Sequence, residues 1–100
     1  MSNIIDEKGH KVATIGEDMV VHNLAGDNIG HVTDTNEVFN RENSKVGHFQ
    51  ESDGYVFNYN NDHIGTIRAG KAWDLQDHWV GGVQGDHVYS GGAALLLLVR

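Results

Sequence analysis

Apolar residues return along this chain at a fixed spacing. Ile4, Val21, Val38, Val56, Ala72 and Val88 follow one another at intervals of 17, 17, 18, 16 and 16 residues. Eight residues after each stands a second apolar position, Val12, Ile29, Val46, Ile64, Val80 and Leu96. Three further on comes a third, Ile15, Val32, Phe49, Ile67, Val83 and Val99. Self-similarity at one period marks a tandem array of a single supersecondary unit. Between these positions short alternating runs are broken by Gly, Asn and Asp, which favours strands over helices. No proline interrupts them, as suits strands that need every ladder donor. The pattern predicts an all-β domain of six short β-hairpin repeats, about twelve strands in all. They are expected to close as a meander, flower or barrel-like ring, with a linear hairpin stack as the alternative.

The turns share a chemistry. Asp6-Glu7-Lys8-Gly9, Asn23-Leu24-Ala25-Gly26, Asn40-Arg41-Glu42-Asn43 and Asn58-Tyr59-Asn60-Asn61 put Asp or Asn first and Gly or Asn fourth. The first side chain can cap its own backbone. The fourth residue suits the left-handed position of a type I turn with a G1 bulge. The expected register pairs Ile4 with Val12, Val38 with Val46 and Val56 with Ile64. The large residues after the openers, Ile5, Phe39, Phe57, Trp73 and Tyr89, then lie diagonal to Gly30, Gly47, Gly65 and Gly81, so that rings cover strand glycines.

The last two repeats drift. The fifth keeps Trp73, Asp74, Val80, Gly81 and Val83 but carries Asp77 where a left-handed residue belongs. The sixth ends in Leu95, Leu96, Leu97, Leu98 and Val99, and read as a strand it is apolar on both faces. Such a strand needs cover on both sides, so the segment is expected either to plug the core or to self-associate. One domain, 1–100, is expected, with clear repeats over 4–67 and divergent ones over 72–99.

Composition narrows the function classes. Seven Lys plus Arg stand against fourteen Asp plus Glu, a net charge of −7, which argues against nucleic acid as a partner. There is no cysteine, hence no disulfide framework and no thiolate chemistry. The first residues lack the basic start and apolar run of a signal peptide. The one markedly apolar segment is far shorter than the roughly 20 residues of a membrane-spanning helix. A cytoplasmic protein without membrane insertion is the expectation.

The runs Ile4 to Ile15, Val21 to Val32, Val38 to Phe49 and Val56 to Ile67 share one order: a hydrophobic residue, usually a large one next, Asn or Asp, a Gly or Asn turn, then Val or Ile and mostly Gly. In this order the chain resembles the bacterial four-fold β-flower proteins. The resemblance implies a compact repeat-built β fold of unknown biochemical role, and it brings no catalytic residues.

The candidate chemistry is sparse. His31 and His48 share one slot of consecutive repeats and are weak candidates for a metal, which needs three or four converging ligands. No Asp-x-Asp-x-Asp-Gly loop or nucleophile elbow is present. The expectation is therefore no enzyme, no cofactor and no metal. Phe39 beside Asn40, Phe57 beside Asn58 and Trp73 beside Asp74 could form serial carbohydrate sites, with sugar faces on rings and hydroxyls on amides. Against that lectin-like alternative stands the reading that the rings cover strand glycines, which leaves a structural or protein-interaction module with a protein partner or a second copy as its ligand.

Overall fold

The computed structural model describes residues 1–100. Ten strands run in order: β1 (Ser2–Asp6), β2 (Lys11–Ile15), β3 (Val20–Asn23), β4 (Asn28–Val32), β5 (Glu37–Asn40), β6 (Lys45–Phe49), β7 (Tyr55–Asn58), β8 (His63–Arg68), β9 (Lys71–Asp74) and β10 (Trp79–Gln84). Each pairs antiparallel with its sequence neighbours, and β10 returns to β1, closing a barrel. Closure, rather than a linear stack, leaves no unpaired edge. The residues after β10 form a helix, α1 (Val88–Ala94), that runs on into a π-helical turn, Leu95–Val99.

The turn chemistry explains the five hairpins. In each, the first Asp or Asn accepts two backbone N–H bonds through Oδ1. Asp6 takes those of Lys8 and His10, Asn23 those of Ala25 and Asp27, Asn40 those of Glu42 and Ser44, Asn58 those of Asn60 and Asp62, and Asp74 those of Gln76 and His78, all at 2.9–3.0 Å. The fourth residue is left-handed each time, with φ from 64° at Asn43 to 88° at Gly26. Asp77 is no exception, at φ 66°. Asp tolerates this region because its short polar side chain can bond locally, so the fifth turn is intact where the sequence suggested a lapse.

The register differs from the expected one. Val38 pairs with Gly47 and Phe39 with Lys45, so Val46 is the extra residue of a bulge. Val12, Ile29, Ile64 and Val80 occupy the same bulge in the other hairpins. A bulged residue shifts the alternation by one. The openers and the strand glycines thereby share the inner face, and the residue after each opener faces outward. Rings such as Phe39 therefore do not cover the glycines.

Leucines cover them from inside. A Cβ on Gly81 would lie 2.6 Å from a methyl of Leu95, one on Gly65 2.9 Å from Leu96, one on Gly47 2.7 Å from Leu97 and one on Gly30 2.7 Å from Leu98. Four consecutive residues of the terminal helix thus face four consecutive hairpins, in reverse order around the ring. An α-helix steps about 100° per residue, whereas five hairpins are spaced by about 72°. The wider π-helical winding, with its i→i+5 bonding, comes closer to that step. Arg100 N–H donates to the Leu95 carbonyl at 3.1 Å, the bond that defines this winding.

At the other end of the barrel the sizes reverse. A Cβ on Gly91 would meet Val83 at 2.7 Å and one on Gly92 would meet Ile67 at 2.9 Å. Large wall residues face small helix residues there, and small wall residues face large helix residues at the hairpin-turn end. The sixth repeat is consequently a helix rather than a strand: ten strands already close the barrel, and only a segment with internal backbone hydrogen bonds can fill its lumen. The core is Ile4, Ile15, Val21, Val38, Val56 and their ring neighbours, closed on Ala93, Ala94, Leu95 and Leu96.

Candidate functional site

With the inner face filled, any recognition must use the outside. The register lines up the outward residues in rows, each crossing four strands. One row reads Val20, His31, Phe39, Lys45, the next Glu37, His48, Phe57, His63, and the next Tyr55, Thr66, Trp73, Trp79. His31 and His48, equivalent in sequence, each stack on the phenylalanine of the following hairpin. His31 lies on Phe39 with ring centroids 5.2 Å apart, and His48 on Phe57 at 5.0 Å. They serve cross-strand packing in separate rows. No three His, Asp or Glu side chains converge where they could hold a metal ion.

The three ring-and-amide or ring-and-carboxylate pairs of the sugar-binding reading, Phe39–Asn40, Phe57–Asn58 and Trp73–Asp74, lie on three successive hairpins. Oδ1 of Asn40, Asn58 and Asp74 is committed to the turns, while Phe39, Phe57 and Trp73 stand in three different rows. The outward face of β7–β10, hereafter the wall, carries aromatic side chains in two groups, Tyr55, Phe57 and His63 and then, beyond Thr66, Trp73 and Trp79. The Tyr55 ring stacks on His63 at 4.2 Å and lies 6.4 Å from Phe57, and Phe57 is 5.6 Å from His63. Trp73 and Trp79 face each other across β9 and β10. Arg68 lies over Trp73 at 4.7 Å, and Lys71 over Trp79 at 5.6 Å, as cation–π partners. Tyr55 and Trp79 remain 40% and 39% exposed.

Several of these groups also repair the bulges. Trp79 Nε1 donates to the Gly81 carbonyl at 2.7 Å, His63 Nε2 lies 2.8 Å from the Gly65 carbonyl, and Asn28 Oδ1 accepts from Gly30 N–H at 2.9 Å. In each case the residue just before the bulge satisfies a backbone group near it. Trp73 Nε1 is buried and has no partner.

Beside the wall, Thr35, Glu37, Lys45 and His48 line a recess of about 410 Å³ that contains no apolar side chain. Lys45 Nζ is 2.9 Å from Glu37, and Thr35 Oγ1 donates to Glu37 at 3.1 Å. The hydrogen bond from Lys45, then that from Thr35, holds the Glu37 carboxyl below its usual range.

No sequence motif singles out Tyr55, His63, Arg68, Lys71 and Trp79 on the wall or Thr35, Glu37 and Lys45 in the recess as a site. The signal was present as alternation, but it becomes legible only once the bulged residue is removed from the count. The charges are sorted as well. The five hairpin turns hold seven carboxylates against Lys8 and Arg41, and the return connections hold six against no lysine or arginine. The strands between carry Lys11, Lys45, Arg68 and Lys71 against Glu37. The molecule has two acidic ends and a basic waist.

The arrangement defines a class, the closed hairpin barrel plugged by its own C-terminal helix. Compared with known proteins, the chain matches no family model, no curated protein and no solved structure. No helix is long and apolar enough to cross a membrane.

Proposed function

We propose that this protein is a non-catalytic interaction module whose aromatic wall binds a protein partner or a second copy. One observation carries the reading: Tyr55, Trp73 and Trp79 share one outward row, with Phe57 beside Tyr55 and with Arg68 and Lys71 over the two indoles. Tyr, Trp and Arg are the residues that dominate binding energy at protein interfaces. The cations of the waist favour a partner surface that presents carboxylates. The repeat order supports kinship with the four-fold β-flower proteins, within which five hairpins make this chain a larger ring.

The test is site-directed photo-crosslinking. A photoreactive residue at position 55 should give a discrete protein adduct that excess unmodified protein competes away, and Lys71→Glu should abolish it. The same probe at Lys11, across the barrel, should give none. Equal labelling from both positions, or no discrete adduct, removes the reading.

The polar recess favours a second reading, a carbohydrate site in which Glu37, Lys45 and Thr35 take sugar hydroxyls beside the His48 ring. A glycan array with no binder, together with Trp fluorescence unmoved by sugars, disposes of it.

A further inference from the structure

The hairpin-turn end of the barrel is a second surface, joined to the wall at Arg68, which lies over Trp73 and bonds Asp77 of the fifth turn. Leu24, Tyr59 and Leu75 occupy the same position, directly after the capping residue, in three of the five turns. They are 67%, 72% and 60% exposed. Nothing in the turn needs an apolar side chain there, since Glu7 and Arg41 fill it in the other two hairpins. The terminal helix emerges at the same end. Gly30, Gly47 and Gly65, which face Leu98, Leu97 and Leu96, pair in register with the capping residues Asn40, Asn58 and Asp74. Leu97, Leu98 and Val99 are only partly buried. Three exposed apolar tips thus stand at the end where the partly buried Leu97, Leu98 and Val99 emerge, with Arg100 close enough to the fifth turn to act on Asp74.

Charge specifies what can cover it. Each tip carries a carboxylate beyond any capping one: Glu7, Asp27, Glu42, Asp62 and Asp77. Asp77 is held by Arg68 at 2.6 Å. Closure of the barrel denies a partner any strand edge, so strand addition is excluded; among the other recurrent modes, an amphipathic helix is the one that offers an apolar stripe and flanking charges together. At neutral pH a second copy meets this end at a disadvantage, because end on end sets carboxylates against carboxylates and a net charge of −7 on each copy opposes other orientations as well, and anionic lipid is repelled likewise. We propose that the hairpin-turn end docks a cationic amphipathic helix, its apolar face on Leu24, Tyr59, Leu75 and the terminal leucines, its lysines or arginines on the tip carboxylates.

The probe is a fluorescent leucine–lysine amphipathic helical peptide, titrated against the whole chain and followed by anisotropy, with a leucine–glutamate peptide of the same pattern as control. Saturable binding on the order of micromolar is expected, weakening several-fold as salt rises from about 0.1 to 1 M. Leu24→Ser/Tyr59→Ser/Leu75→Ser should lose at least about tenfold in affinity with an unchanged circular dichroism spectrum. Leu75→Glu alone, which adds a carboxylate but removes an apolar contact, serves as a second variant should the triple one misfold, and should also weaken binding. Tyr55→Ser, on the wall, should bind the peptide as the parent does. Equal affinity for the acidic peptide, or tip variants that bind unchanged, overturns the proposal. So does a dimer of the unmodified chain at neutral pH that the tip variants disperse, since the occupant is then a second copy. Because Tyr55 and Lys71 lie outside this face, each outcome leaves the crosslinking result at the wall independent.

Discussion

At the scale of single residues, two kinds of position fix the fold. The strand glycines are closed on two sides: a Cβ on Gly47 would strike the Phe57 carbonyl as well as the Leu97 methyls. A side-chain tip can yield, but a backbone carbonyl within the ladder cannot. Gly47→Ala is therefore expected to destabilise by about 1–3 kcal/mol or more, and Gly47→Ala/Leu97→Ala should not restore the parent stability, as chemical denaturation would show. The capping residues are the second kind. Asn40→Ala leaves two backbone donors without their acceptor and is expected to cost about 0.5–2 kcal/mol by analogy with a lost helix cap. Asn40→Asp should be nearly neutral, because Asp6 and Asp74 hold the equivalent turns. Turn residues of this kind were fully legible in the sequence, since their role depends on local backbone alone. His48 was not: its partner Phe57 lies on another hairpin, and only the register brings them together.

At the scale of elements, the hairpins carry a pH dependence with a definite sign. The Asp6 carboxyl is held below its usual value of 3.8 chiefly by the backbone N–H of His10, and that of Asp74 chiefly by the N–H of His78. A depressed pKa contributes stability that is present above the unfolded value and lost as pH falls through the folded one. Stability should therefore decline below about pH 4. Asp6→Asn/Asp74→Asn, which keeps an Oδ1 acceptor as in the three sister turns, should flatten that decline while leaving neutral-pH stability close to the parent's. Thermal melts between pH 2 and 7 (about that range) measure it; an unaltered acid limb would place the sensitivity in other carboxylates.

The terminal helix shows where sequence reading lost its footing at this scale. A short apolar run does not tell a buried helix from a buried strand by periodicity. The offsets of the sixth repeat matched the other five, so the strand reading followed. Three-dimensional closure decided otherwise, and the run of Leu95 to Leu98 acquires its meaning from the ring of glycines it meets. Leu95, fully enclosed against Gly81, is expected to cost about 2–5 kcal/mol on truncation to Ala. Leu98, at the mouth and only partly buried, should cost clearly less. A graded loss along Leu95, Leu96, Leu97 and Leu98 is what a plug entering a barrel produces; equal losses would contradict the packing.

For the whole molecule, the separation of a basic, aromatic waist from acidic ends makes association depend on pH. The chain carries seven histidines against a net charge of −7, and an unperturbed imidazole titrates near pH 6.5. Acidification through the histidine range brings the net charge of −7 toward zero. The net repulsion between copies fades, while the sorting of most lysines and arginines to the waist and of carboxylates to the ends remains. End-to-waist contact of two copies is heterologous and does not close on itself, so it leads to open chains of molecules rather than a fixed dimer. Light scattering is accordingly expected to rise between about pH 7 and 5, to fall again with added salt, and to be blunted by Tyr55→Ala/Lys71→Glu, which removes exposed waist contacts. Scattering that stays flat across this range would mean that charge sorting serves foreign partners alone, with the waist reserved for an acidic surface and the tips for a basic helix.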